Sequence, residues 1–160
     1  MGTCIKIKGA EFGNSAMIGN LDISKMFEFT DGYALSLLTE TYSMNGGGTS
    51  TVFSISNIVD VSGFVGKTLR IKVMRWTTAS NNVSANGLSF FAETPVIGST
   101  PYLLNYKFPK SQQQGVGVGE SFDKEIIVPE GARYLVTTYF RESKKTELGE
   151  DDFKCLVLSE

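Results

Sequence analysis

Histidine is absent from the 160 residues. That removes Ser-His-Asp and Cys-His catalysis, imidazole metal ligation and the usual proton shuttle near neutral pH. Cysteine is scarce: only Cys4 and Cys155 occur, near opposite ends. Two distant cysteines make neither a zinc site nor a redox pair. They read as buried thiols on terminal strands. The alternative is one bridge between neighbouring strands, which requires Cα atoms within about 7 Å. No apolar run approaches the roughly 18–20 residues of a membrane span, so no membrane insertion is expected. Positive charge is not in surplus, with 15 basic against 17 acidic residues. A protein built to hold nucleic acid needs a cationic excess or patch to neutralise phosphates. The start, Met1-Gly2-Thr3-Cys4-Ile5-Lys6-Ile7-Lys8, lacks the unbroken apolar stretch of a secretory signal, so the chain is expected to be made in the cytoplasm. Gly2 does not begin a myristoylation signal, because Lys6 stands where Ser or Thr is wanted.

What is present is ordinary for a globular protein: 41% hydrophobic and 20% charged residues. The length suits one domain. We read 1–160 as a single domain, with 1–30 as an N-terminal strand and joining segment.

The hydrophobic period is two almost everywhere. In Leu69-Arg70-Ile71-Lys72-Val73-Met74 the apolar Leu69, Ile71 and Val73 face one way and Arg70 and Lys72 the other, as in a half-buried strand. Ile5 and Ile7 alternate with Lys6 and Lys8, and Thr51-Val52-Phe53-Ser54-Ile55 alternates too, with Phe53 and Ile55 on one face. Tyr134-Leu135-Val136-Thr137-Thr138-Tyr139-Phe140 is β-branched and aromatic, a composition that fits a pleated surface. Segments 153–158, 33–42, 87–93, 102–108 and 124–128 complete about nine strands, with Gly, Ser, Asn and Pro between them. Helix is expected only as a turn or two within 22–29, capped by Asp22. Many short strands with turn residues between them indicate an all-β sandwich or barrel. A two-sheet jelly roll, which covers its strand edges, suits this size.

Two segments carry a signature beyond periodicity. One is Ile58-Val59-Asp60-Val61-Ser62-Gly63-Phe64-Val65-Gly66-Lys67-Thr68-Leu69-Arg70-Ile71; the other is Ile126-Ile127-Val128-Pro129-Glu130-Gly131-Ala132-Arg133-Tyr134-Leu135. Between them lies Gly87-Leu88-Ser89-Phe90-Phe91-Ala92-Glu93. Together these resemble the carbohydrate-binding-module-like jelly-roll domains, of galactose-binding-like topology, in tail and fibre proteins of phages and prophages. Similar modules are appended to secreted proteins of gut bacteria. The opening Ile5 to Phe12 is similar to the joining stretch that precedes such domains. The resemblance covers roughly 52–140, and Phe91-Ala92-Glu93 stands where the family has an aromatic followed by Asp. It implies a jelly-roll β-sandwich of two antiparallel sheets, about eight or nine strands, in a virion-surface structural or binding protein. The motifs themselves specify turns. Val128-Pro129-Glu130-Gly131 has Pro at i+1 and Gly at i+3 of a type I turn.

Other motifs reduce to bland readings. Gly66-Lys67-Thr68 lacks the Gly that a phosphate loop needs five residues earlier, where Val61 stands, and leads into a strand rather than a helix. Gly115-Val116-Gly117-Val118-Gly119 lacks dinucleotide-loop spacing and reads as an extended loop. Glu40, Asp60, Glu93, Glu120 and Asp123 are scattered, and none pairs with another as glycoside hydrolysis requires. The acidic run Glu147, Glu150, Asp151, Asp152 does not follow calcium-loop spacing.

The aromatic residues hold more. Trp76, the sole tryptophan, follows Arg75 at the end of the central strand. It either covers the end of the core or stacks on a sugar face, which presents C–H groups beside hydroxyls. Tyr102, Asn105 and Tyr106, between Pro101 and Pro109, are either core and edge positions or a ligand-facing surface. Tyr42, beside Asn45-Gly46-Gly47-Gly48, has the same two readings.

The sequence thus leads to a non-enzymatic module with no cofactor and no metal. Expected partners are other virion structural proteins, a second copy of itself or a host glycan. Candidate ligand-binding residues are Arg75, Trp76, Tyr102, Asn105 and Tyr106. The alternative is a carbohydrate-binding module of a bacterial cell-surface or secreted protein.

Overall fold

The structure is a computed structural model that describes residues 19–46, 53–77, 87–108, 118–140 and 152–159; within these, the side chains of Asn45, Phe53, 74–77, 118–121 and Phe140 stay outside the description. The expected strand at Ile5–Ile7, the joining stretch, Cys4, the glycine run 115–117 and most of the acidic run all lie outside the described residues.

The fold is all-β. Its strands are β1 (Leu21–Asp22), β2 (Phe29–Asp31), β3 (Tyr33–Leu35), β4 (Met44–Gly46), β5 (Phe53–Ser56), β6 (Val59–Asp60), β7 (Thr68–Thr77), β8 (Gly87–Phe91), β9 (Leu104–Lys107), β10 (Val118–Ile127), β11 (Tyr134–Phe140) and β12 (Phe153–Val157). The described chain therefore holds twelve segments rather than about nine, because two- and three-residue pieces flank the longer strands. The expected strand at 33–42 is one of the differences: it stops at Leu35, and a turn at 38–40 separates it from Tyr42. Between 22 and 29 the chain makes one 3₁₀ turn, Ser24–Met26, and the Asp22 carboxylate accepts the Ser24 N–H at 2.9 Å.

Two antiparallel sheets form a β-sandwich. One has the order β1-β12-β7-β10. In the other, β11 is central: β5 and β6 share one of its edges, β8 takes the other, and β2 and β9 lie outside them. The sheets touch through a single parallel bridge, Phe140 to Arg75. The first and last described strands are neighbours, and most pairings join strands remote in sequence. The hairpin β3–β4 lies against β5 and β11 outside the sandwich proper.

Alternation along β7 and β12 places Leu69, Ile71, Val73, Phe153, Cys155 and Val157 in the core between the sheets. Phe122 and Ile126 of β10 join them, and Leu88, Phe90, Leu135 and Tyr139 meet them from the other sheet. A second core lies on that sheet's far face, where Leu35, Leu37 and Tyr42 cover Ile55, Phe91 and Val136. The β11 sheet is thus buried on both faces. This is why β8 does not alternate: adjacent Phe90 and Phe91 serve opposite cores, as in strands covered on both sides. Leu35 N–H donates to Thr138 Oγ1 at 2.8 Å, a buried bond that ties the outer hairpin to β11. Each fully buried Leu or Phe stabilises by roughly 1.5–3 kcal/mol.

Turn chemistry fixes the sandwich's lower end. Asp60 accepts from Ser62 N–H and Oγ at 2.9 and 2.7 Å, and these bonds hold its carboxyl below the usual range. Lys67 N–H then bonds Phe64 C=O at 2.9 Å across Val65 (φ −55°, ψ 132°) and Gly66 (φ 83°), a type II turn. Gly66-Lys67-Thr68 is therefore a turn into a strand. The Pro-Glu-Gly turn also proves to be type II rather than type I. Ala132 N–H bonds Pro129 C=O at 3.1 Å, which puts Gly131 at i+2 with φ 87° and moves the turn one residue along the chain.

Candidate functional site

The strand ends sort the molecule into two poles. Thr77 lies opposite Val118, Gly87 opposite Lys107, and Phe140 beside both Phe53 and Arg75. Phe153 pairs with Val73, on the same side. The connections β4–β5, β7–β8, β9–β10 and β11–β12 therefore all leave from one pole. In a sandwich, such gathered connections are where recognition is carried on a rigid frame.

The candidate residues are distributed unevenly over this frame. Arg75 and Trp76 lie on β7 near that pole, with their backbones opposite Glu120 and Gly119; their side chains lie outside the described residues. Tyr102 is half-buried against Phe91, with ring centroids 5.4 Å apart. Its hydroxyl donates to Ser36 C=O and accepts the Ser43 N–H at 3.0 Å, so it clamps the outer hairpin loop. Burial raises its pKa above the usual tyrosine value. Asn105, exposed on β9, accepts from Ser89 Oγ at 2.6 Å. Tyr106 packs against the inter-sheet core, so it and Asn105 address opposite faces of β9. Tyr42 is buried edge-on to Phe91 at 5.3 Å, the core reading. The structure thus brings Tyr102 and Tyr42 together around Phe91, and sets Tyr106 and the Arg75–Trp76 pair apart from them.

A second surface was only half legible in the sequence. The outer face of the β7 sheet carries Arg70, Lys72, Lys154 and Leu156 around a recess of about 230 Å³. Alternation in β7 shows that Arg70 and Lys72 share a solvent face. That Lys154 lies opposite Lys72, and Leu156 opposite Arg70, follows from the β12–β7 register. Arg70 Nε and Nη2 donate to Asp123 at 3.1 and 3.0 Å, and this pairing lowers the pKa of Asp123. Asp22 lies 3.6 Å from Lys154 Nζ. Partial burial opposes ionisation of Asp22, yet bonds from Ser24 and the nearby Lys154 hold its pKa below the usual value.

Cys155 is a free thiol in the core, and burial pushes its pKa up to about 12. The thiolate is the reactive form, so this cysteine is inert as a nucleophile in the folded chain. Among the described residues no three of His, Cys, Asp and Glu cluster as metal ligands. Among them, too, no helix is long and apolar enough to cross a membrane. Comparison of the chain with protein families, curated proteins and solved structures finds no match.

Proposed function

We propose that this chain is a non-catalytic binding and structural module of a phage virion surface, a decoration, fibre or tail component that engages host surface glycans. The observation that carries the reading is that the strand ends bounding four connections meet at one pole of a frame braced by two cores. Trp76 and Arg75 stand beside that pole by backbone position, where stacking and hydrogen bonding to a sugar would be supplied. The virion assignment rests on the resemblance of the Ile58–Ile71 and Ile126–Leu135 motifs. Without that setting, the same chemistry is that of a carbohydrate-binding module on a bacterial surface or secreted protein. The test is retention on a host polysaccharide array, lost in Trp76→Ala while circular dichroism stays unchanged. If wild type and variant are equally blank on a broad array, the glycan reading is abandoned.

Assembly with another virion protein or a second copy is the other reading, and it has an observation of its own. The adjacent turns tied by Gly98 N–H to Tyr42 C=O and Tyr102 N–H to Glu40 C=O expose Leu38 at 73% and Val96 and Ile97 at 56% each. Exposed apolar residues gathered in a patch mark interaction surfaces. Light scattering of the pure protein then reports oligomers; a strict monomer with no virion partner counts against assembly.

A further inference from the structure

The outer face of the β7 sheet holds a charge arrangement that the fold does not require. Lys72 and Lys154 are directly opposite across β7 and β12, on one face. Like charges so placed repel and destabilise the ladder. One row along, Arg70 faces Leu156. The carboxylates of this face are Asp123, opposite Lys72 across β10 and bonded to Arg70, Glu125, opposite Arg70, and Asp22, beside Lys154; none of the three belongs to the described lining of the recess. The described lining of the recess consists of Arg70, Lys72, Lys154 and Leu156, three cations and one aliphatic side chain. Among the described residues, Asp123 takes two of the five donors of the Arg70 guanidinium. At about 230 Å³ the recess is smaller than the roughly 300–1,000 Å³ of a whole-ligand pocket, so it suits one unit of a longer ligand lying over the sheet.

We infer that this recess binds the carboxylate of an acidic saccharide unit, a uronate or sialic-acid-type sugar, with the carboxylate among Lys72, Lys154 and Arg70 and the sugar's C–H face on Leu156. This deepens the glycan reading and rests on it. The anion offsets the Lys72–Lys154 repulsion, and Leu156 supplies the apolar contact that a bare ion would not use.

The test is calorimetric titration of the full chain with galacturonate oligomers and with neutral galactose oligomers of equal length. The acidic series is expected to bind, less tightly as salt rises. Lys72→Gln and Lys154→Gln should each weaken it about tenfold, the loss of one charge-assisted hydrogen bond. Lys107→Gln, an exposed cation on the other sheet, should leave it unchanged. Variants are compared only where circular dichroism matches wild type. Acidic oligomers that bind equally to both recess variants overturn the inference. Acetate that competes as well as the oligomer overturns the saccharide assignment. Neutral oligomers that bind while acidic ones fail overturn the inference and leave the glycan reading standing. Failure of both series overturns the inference, and the polysaccharide array then decides the glycan reading.

Discussion

Glycine 87 offers the sharpest check on the register that builds the β11 sheet. A Cβ added there would lie 1.9 Å from the Tyr106 carbonyl oxygen and 2.9 Å from Lys107 Cα, both backbone atoms that cannot rotate away. An ordinary C···O approach is about 3.3 Å, so β8 and β9 must separate by roughly 1.4 Å at that point. Overpacking costs about 1–3 kcal/mol, and each ladder hydrogen bond lost adds about 1 kcal/mol. Gly87→Ala is thus expected to destabilise by about 3–5 kcal/mol, a drop of roughly 2 M in urea midpoint at a slope near 2 kcal/mol/M. Two sister variants calibrate the result. Gly131 has open space but φ 87°, so Gly131→Ala should cost about 1–2 kcal/mol from backbone strain alone. Gly63 has open space and no positive φ, so Gly63→Ala should be neutral or gain about 0.4–1 kcal/mol by restricting the unfolded chain. The assay is equilibrium urea unfolding followed by fluorescence. A Gly87→Ala midpoint at or above that of Gly131→Ala refutes the β8–β9 register.

Thr138→Val should strand the Leu35 amide in the second core, at a cost of about 1–3 kcal/mol. Hydrogen exchange should then show Leu35 unprotected while Leu135 and Tyr139 stay protected; uniform loss of protection would contradict a separately held outer hairpin. Cys155 ionises near 9.0 in an unstructured chain and at about 12 in the core. Between those values only the unfolded state loses the proton, so the stabilisation is complete below pH 9 and declines as pH rises, by about 1.4 kcal/mol per unit. Wild type should therefore lose stability faster than Cys155→Ala in that window, and parallel pH profiles would contradict it.

Local pattern determined the all-β class, the inward face of Leu69–Val73 and, through β-branched and aromatic composition, the extent of Tyr134–Phe140, because these are local properties of a strand. The end of β3 at Leu35 was hidden, since Leu37 and Tyr42 beyond it are apolar in order to cover a neighbouring sheet rather than to continue the strand. The type II geometry at Pro129 was equally hidden, because Gly suits both turn types and only the observed hydrogen bond chooses between them. Adjacent Phe90 and Phe91 carry no sign of serving two cores until the outer hairpin is seen to cover the second face.

The sites divide along the same line. Single-strand pattern placed Arg70 and Lys72 on the solvent face, and composition singled out Trp76 as the one large amphipathic ring. Only tertiary structure set Lys154 against Lys72 and bound the Tyr102 hydroxyl within the fold. Local sequence fixes which side of a strand a residue occupies. Which residue meets it across the ladder depends on register between segments more than eighty positions apart, set by the packing of the whole core.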